Sequence, residues 1–293
     1  MTLPAELARS VGQVERAAVG IKPDNEARVL LHGDAPFARR TVSVAYLHGF
    51  TASQAEGAPA HRAIADACGA HLILNRLTGH GSDAPDAMRG VTAGRWRSDA
   101  REVLDAALVL GEKVVLVGTS MGGSLALDLA ATYPEHVAAV VAWSPGIRVH
   151  DPAQLQAAVL VQGAVAAPGE RSAFQRRYWS SMIHGDGYRA IARLFIERMQ
   201  PEVLQGVRCP VFFGIWDGGE GDRDTLTSVA AMREAFGWLG APAGMPAGTP
   251  AGSRRLVAYD HAAHVLASPP RSPAAARVLA DSLAFLREQG LAR

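Results

Sequence analysis

The stretch KVVLVGTSMGGSLALDLAAT, residues 113–132, carries the decisive pattern of the chain. It opens with a β-branched, apolar run, which predicts a buried strand over Lys113–Gly118. It closes with a Leu- and Ala-rich run, which predicts a helix over Gly122–Thr132, stopped by Pro134. Between them, Gly118-Thr119-Ser120-Met121-Gly122 is a G-x-S-x-G pattern in the strand–turn–helix context that makes a nucleophile elbow. A turn this tight forces its central residue into strained backbone, and bulk at either glycine would meet neighbouring main chain. Ser120 is thereby lifted clear of the sheet as a candidate nucleophile. The new helix begins beside it, so free N–H groups favour negative charge there.

The same alternation extends outward in both directions. Strands are predicted at Arg28–His32, Thr41–Leu47, His71–Asn75, Val137–Trp143, Pro210–Trp216 and Arg255–Tyr259. Helices are predicted at 3–19, Ala60–Cys68, Ala93–Leu110, Thr227–Phe236 and Pro273–Gln289. Continuous apolar strands alternating with helices mean a mostly parallel sheet covered on both faces, an α/β architecture. Residues 148–206 interrupt the rhythm with helical patterns at Pro152–Ala164 and Gly187–Met199 and no convincing strand. They predict a helical cap inserted into one core domain made of 1–147 and 207–293. The cap falls at the carboxyl edge of the sheet, where open α/β sheets bind ligands. Gly240–Arg254, rich in Gly, Pro and Ala, predicts a surface loop.

Composition narrows the class. The chain has 293 residues, 48% hydrophobic and 19% charged, enough for a full core. Its net charge of +1 leaves no basic excess for a phosphate backbone, so nucleic acid is not an expected partner. The longest apolar runs, Val137–Trp143 and Ala157–Ala167, are far short of the roughly 20 residues needed to span a bilayer. With no secretory leader pattern at residues 1–20, a cytoplasmic protein is expected. Cys68 and Cys209 lack metal-ligand spacing; two free thiols are expected, with a single disulfide left open. Nothing in the sequence fixes the oligomeric state.

Leu47-His48-Gly49-Phe50-Thr51 follows the strand Thr41–Leu47. In a fold with this elbow, the loop there supplies the second N–H of an oxyanion hole, so the donors expected are Phe50 and Met121. LHGFTAS (47–53), RLTGHGSD (76–83), VGTSMGG (117–123) and HVLAS (264–268) together resemble the α/β-hydrolase superfamily, of the serine carboxylesterase and monoacylglycerol-lipase type. The resemblance implies the order nucleophile, acid, histidine. Of His261 and His264, it favours His264, which stands before the apolar pair Val265-Leu266. For the acid, the loop DGGEGDRDTLTS (217–228) offers Asp217, Glu220, Asp222 and Asp224. Asp224, at the approach to the next helix, is the first choice; Asp222 and Asp217 stay open.

The expected chemistry is hydrolysis of carboxylic esters with small to medium acyl chains, through an acyl-enzyme on Ser120. No metal or organic cofactor is needed for it. The same triad would serve a monoacylglycerol lipase, a thioesterase or a carbon–carbon bond hydrolase, and a ligand receptor that turns nothing over is the rival of another class. Phe50, Trp143 and Trp216 are the expected substrate-contacting side chains, since both tryptophans end core strands at the site edge. In the cap, Leu155, Val159, Leu160, Phe174, Tyr178, Trp179 and Met182 are candidate apolar cover.

Overall fold

The protein is described by a computed structural model that defines residues 2–240 and 254–293. The body is assembled from helix α1 (Leu3–Ala17), strands β1 (Arg28–Leu30) and β2 (Arg40–Leu47), helix α2 (Ala60–Ala67), strand β3 (Leu72–Leu74), helix α3 (Ala93–Leu110), strand β4 (Gly111–Thr119), helix α4 (Met121–Thr132) and strand β5 (Val137–Trp143). After β5 come α5 (Pro152–Val159), β6 (Ala164–Ala166), α6 (Ala173–Tyr178), β7 (Met182–His184), α7 (Gly185–Arg198) and α8 (Pro201–Leu204). The body resumes with β8 (Val211–Gly219), β9 (Asp222–Arg223), α9 (Val229–Trp238), β10 (Arg254–Tyr259) and α10 (Ala275–Glu288). Most of the loop expected at Gly240–Arg254 lies outside the described residues.

The main sheet runs β1-β3-β2-β4-β5-β8-β10, with β9 folded back on β8. β1 is antiparallel to β3, β9 is antiparallel to β8, and every other pairing is parallel. Side-chain alternation divides the core into two layers. Leu47, Leu116, Val140, Ala142, Phe213 and Ile215 point to the face covered by α3, α4 and α9. Tyr46, Val115, Val117, Val141, Trp143 and Phe212 point to the face covered by α2 and α10. Both sides of the central strands are therefore buried, which is why their sequences are continuously apolar.

The segment between β5 and β8 differs from the helical expectation in one respect. β6 and β7 form a short antiparallel pair, with Ala164 opposite His184 and Ala166 opposite Met182. Three-residue strands made of Ala, Val, Met, Ile and His carry no periodic signal long enough to read. Farther along, Ala190, Ile191, Leu194 and Phe195 of α7 enter the core beneath α3 and α4. Asp128 of α4, buried, takes Arg97 of α3 at 2.7 Å and Arg198 of α7 at 2.6 Å, which ties the three helices together. Among the described residues no helix is long and apolar enough to cross a membrane.

Parallel register aligns the carboxyl ends of the central strands. Leu47 stands beside Gly118, Thr119 beside Trp143, Trp143 beside Gly214, and Trp216 beside Tyr259. The loops after β2, β4, β8–β9 and β10 consequently leave the sheet from one edge, and they carry Phe50, Ser120, Asp224 and His264.

Candidate active site

Ser120 joins β4 to α4 with φ +54°, a left-handed backbone that L side chains rarely adopt. Three hydrogen bonds hold it there. Its N–H donates to the Trp143 carbonyl at 2.9 Å, and its own carbonyl accepts the N–H groups of Gly146 at 3.0 Å and Ser124 at 3.1 Å. The flanking glycines are sterically obligatory. A Cβ on Gly118 would lie 2.4 Å from the Gly122 carbonyl carbon, and one on Gly122 would lie 1.9 Å from the Leu47 carbonyl oxygen. The Ser120 side chain is half-buried and reachable at the sheet edge.

The loop His48–Thr51 passes directly beside it, since a Cβ on Gly49 would touch the Ser120 Cβ at 3.3 Å. Phe50 is thus brought to Ser120 through space and Met121 through sequence. Met121 is also the first residue of α4, where the backbone N–H has no partner within the helix. The loop is firmly tethered. His48 is buried; its Nδ1–H donates to the Gly49 carbonyl at 2.9 Å and its Nε2 accepts the Leu77 N–H at 3.1 Å. Burial holds its pKa down to about 4, against the pull of the Gly49 carbonyl, so the ring is neutral. The Ser180 N–H reaches the Thr51 carbonyl at 2.7 Å from the segment between β5 and β8.

On the other side, His264 Nδ1 lies 2.7 Å from Asp224 Oδ2. Asp224 is fully buried. Its Oδ1 accepts the N–H groups of Leu226 at 2.8 Å and Thr227 at 3.0 Å, and its Oδ2 accepts the Thr227 hydroxyl at 3.0 Å. Burial alone would push this carboxyl up. The charge and hydrogen bond of His264, with the two backbone N–H groups, overcome it and bring the pKa to about 2. For His264, burial pulls down, but the charge and hydrogen bond of Asp224 leave it above its ordinary 6.5. The pair is a carboxylate orienting an imidazole whose Nε2 is left for another partner.

The competing candidates are engaged elsewhere. Asp217 is still within β8 and pairs with Arg233 at 2.6 Å. Asp222 accepts the Trp216 indole N–H at 2.6 Å and the His261 backbone N–H at 2.7 Å. The His261 side chain is 85% exposed and stands in solvent. Glu220 is exposed at the turn between β8 and β9.

One expected substrate contact is corrected. Trp143 is fully buried and donates its indole N–H to Ser282 of α10 at 3.1 Å. Strand alternation turns position 143 under the sheet, into the α2/α10 layer, although the strand ends at the site edge. Trp216 is half-buried, and its indole N–H donates to Asp222 across the β8–β9 hairpin. Phe50 remains partly open and packs edge-on against Trp96 at 5.9 Å and Tyr188 at 5.6 Å. Of the expected cover, Trp179 packs with Ala52 of the Phe50 loop and Val265 beside His264, with Phe174 and Tyr178 behind it. Leu160 is largely exposed. Cys68 and Cys209 are free thiols, pushed by burial to about 11 and about 12.

Glu56 carries no signal in the sequence pattern. It is buried, and its Oε1 accepts the Gly49 N–H and, at 3.1 Å, the Tyr46 hydroxyl. A glutamate in Gln54–Gly57 reads as a solvated surface residue, because nothing local signals that the turn folds under the loop.

Residues 39–183 match the serine aminopeptidase S33 family of hydrolases. Over most of its length, the structure is similar to one determined for the metagenome-derived lipolytic enzymes LipS and LipT, with a TM-score of 0.71 and 19% identity, covering 92% of this chain and 99% of that one. The chain has the α/β-hydrolase fold. The monoacylglycerol lipase of Paleococcus ferrophilus matches with a TM-score of 0.67 and 14% identity over 90% of this chain and 98% of its own. The monoglyceride lipase of Saccharomyces cerevisiae matches with a TM-score of 0.66 and 12% identity over 90% and 91%. Identities this low establish the α/β-hydrolase fold and not the substrate. In sequence, 109 residues are 38% identical to a Bacillus subtilis protein assigned as a 2-succinyl-6-hydroxy-2,4-cyclohexadiene-1-carboxylate synthase, covering 36% of this chain and 38% of that relative.

Proposed function

We propose that this protein is a serine hydrolase that cleaves carboxylic esters of small to medium acyl chains. The observation that carries the proposal is the Asp224–His264 pair, at 2.7 Å, leaving the same sheet edge as Ser120. Ser120 attacks the ester carbonyl while His264 Nε2 takes its proton. Asp224 keeps the imidazole in the tautomer with hydrogen on Nδ1 and balances the imidazolium charge. The tetrahedral oxyanion is received by the N–H groups of Phe50 and Met121. His264 then returns its proton to the leaving alcohol, and water repeats the sequence to free the acid and Ser120.

Residues 148–206 act as the cap. Trp179, packed against Ala52 and Val265, and the open edge of Phe50 provide apolar surface for the acyl or alcohol group.

The test is hydrolysis of p-nitrophenyl esters from acetate to palmitate by wild type and Ser120→Ala. Turnover that is greatest at short chains and lost in folded Ser120→Ala is expected. Preference for long chains would replace the esterase reading with a lipase. Folded wild type inert toward every ester would overturn the proposal in favour of another acyl or carbon–carbon substrate, or of a receptor.

A further inference from the structure

We propose, on the serine-hydrolase reading above, that Glu56 is a positioning residue: its carboxyl group ties the oxyanion loop to the nucleophile's strand.

Three contacts carry this. The Gly49 N–H, one residue before the candidate donor Phe50, donates to Glu56 Oε1. The Tyr46 hydroxyl donates to the same oxygen at 3.1 Å and lies 2.9 Å from Thr119 Oγ1, the residue before Ser120. A Cβ on Gly49 would sit 3.3 Å from both Glu56 carboxyl oxygens and 3.3 Å from the Ser120 Cβ. The carboxyl and the nucleophile therefore face each other across a single glycine. The peptide plane that precedes the Phe50 N–H is fixed by a group anchored, through Tyr46 and Thr119, to the elbow itself. Loop and nucleophile are held in one frame, and misplacement of either by about 1 Å is enough to cost around 10²-fold in rate.

Glu56 is faced by the Tyr46 hydroxyl from β2 and by the Gly49 N–H from the loop. His61 of α2 lies behind, its ring centroid 5.0 Å from that of Tyr46. Burial pushes the Glu56 carboxyl to about 8, while the Gly49 N–H, the Tyr46 hydroxyl and the His264 charge pull it down. Glu56 is thus protonated at neutral pH, and its Oε1 still accepts from both donors.

The test combines kinetics with amide hydrogen exchange at Gly49 and Phe50 in intact wild type, Glu56→Gln and Glu56→Ala. Glu56→Gln keeps an oxygen for the Gly49 N–H, so it should rescue what Glu56→Ala loses. Glu56→Ala removes that oxygen, and kcat falls about 10- to 100-fold with KM within about twofold. Exchange at Gly49 and Phe50 is expected to stay slow in wild type and Glu56→Gln and to quicken at least about 10-fold in Glu56→Ala. A folded Glu56→Ala with wild-type kcat and unchanged exchange would overturn the anchoring role. If Glu56→Ala does not fold, Tyr46→Phe, which removes the hydroxyl between Glu56 and Thr119, decides: unchanged exchange in the folded variant would overturn the role. Exchange that quickens as expected in a protein that hydrolyses no ester supports the anchoring and sinks the hydrolase reading alone.

Discussion

Asp222 and Asp224 share one hairpin yet serve different histidines: Asp222 accepts the backbone N–H of His261 at 2.7 Å, and Asp224 holds the ring of His264 at 2.7 Å. Only the second contact can fix an imidazole tautomer. Asp224→Asn is expected to lower kcat by about 10³- to 10⁴-fold, with little change in KM, because the amide stabilises neither the tautomer nor the imidazolium. Asp222→Asn loses one of two acceptor roles, at a cost of about 1 kcal/mol in stability, with kcat within a few-fold of wild type. Asp217→Asn removes a solvent-exposed pair with Arg233 and stays near wild type in both. Steady-state kinetics and thermal melts on the three variants check this, and a dead Asp222→Asn beside a live Asp224→Asn would reverse the assignment.

The pH profile follows from the same pair. His264 acts as a base only when neutral, and Asp224 raises its pKa above 6.5. The acid limb of kcat/KM is therefore expected above pH 6.5, and the residual activity of Asp224→Asn should show that limb displaced to lower pH. His261→Ala should leave the limb where it is, since its side chain is 85% exposed. Rates measured from pH 5 to pH 9 in buffers of constant ionic strength make the comparison. A limb that moved with His261 would identify the wrong base.

Acid stability should be governed by buried neutral histidines. Burial depresses His48 to about 4 and His61 to about 4, so the folded state resists protons that the unfolded chain binds near 6.5. Stability therefore falls as pH drops from about 6.5 to about 4, by on the order of 3 kcal/mol for each ring. His264, raised above 6.5, works in the opposite direction: its contribution is complete below 6.5 and is lost as pH rises through its folded value. Glu56, pushed up to about 8, also opposes, since its burial penalty is relieved as pH falls from about 8 to its ordinary 4.5. The three buried rings His48, His61 and His80, all held below 6.5, outweigh these two. Urea melts at pH 7, 5.5 and 4.5 should show a progressive loss of midpoint. A midpoint that rose toward pH 4.5 would contradict the burial of these rings.

Two glycines make a matched steric test. Gly122→Ala places a methyl 1.9 Å from the Leu47 carbonyl oxygen, a backbone atom that cannot turn aside. Loss of more than about 4 kcal/mol, or no soluble protein, is expected. Gly237, inside α9, has open space where a Cβ would lie and an ordinary helical backbone, so Gly237→Ala should stabilise by up to about 1 kcal/mol. Expression and melting temperature distinguish the two, and a tolerated Gly122→Ala would mean that the elbow is looser than described.

The sequence by itself determined the layered architecture and the elbow. Residues 113–132 contain strand, turn and helix contiguously, and the glycines at 118 and 122 are required by main chain of the elbow and of the adjoining β2 strand end. Buried parallel strands are continuously apolar, so their positions were legible too; Ala93–Leu110 and Val137–Trp143 have the bounds their patterns predict. The tertiary structure alone decided which acid meets which histidine. The carboxylates at 217, 222 and 224 are chemically alike, and what separates them is the β8–β9 hairpin, which turns Asp217 toward Arg233 and Asp224 toward a loop 40 residues away. It also decided that Trp143 faces α10 and that Glu56 lies beneath the Phe50 loop. Burial and charge coupling depend on what arrives from distant segments, and local sequence pattern carries no record of that.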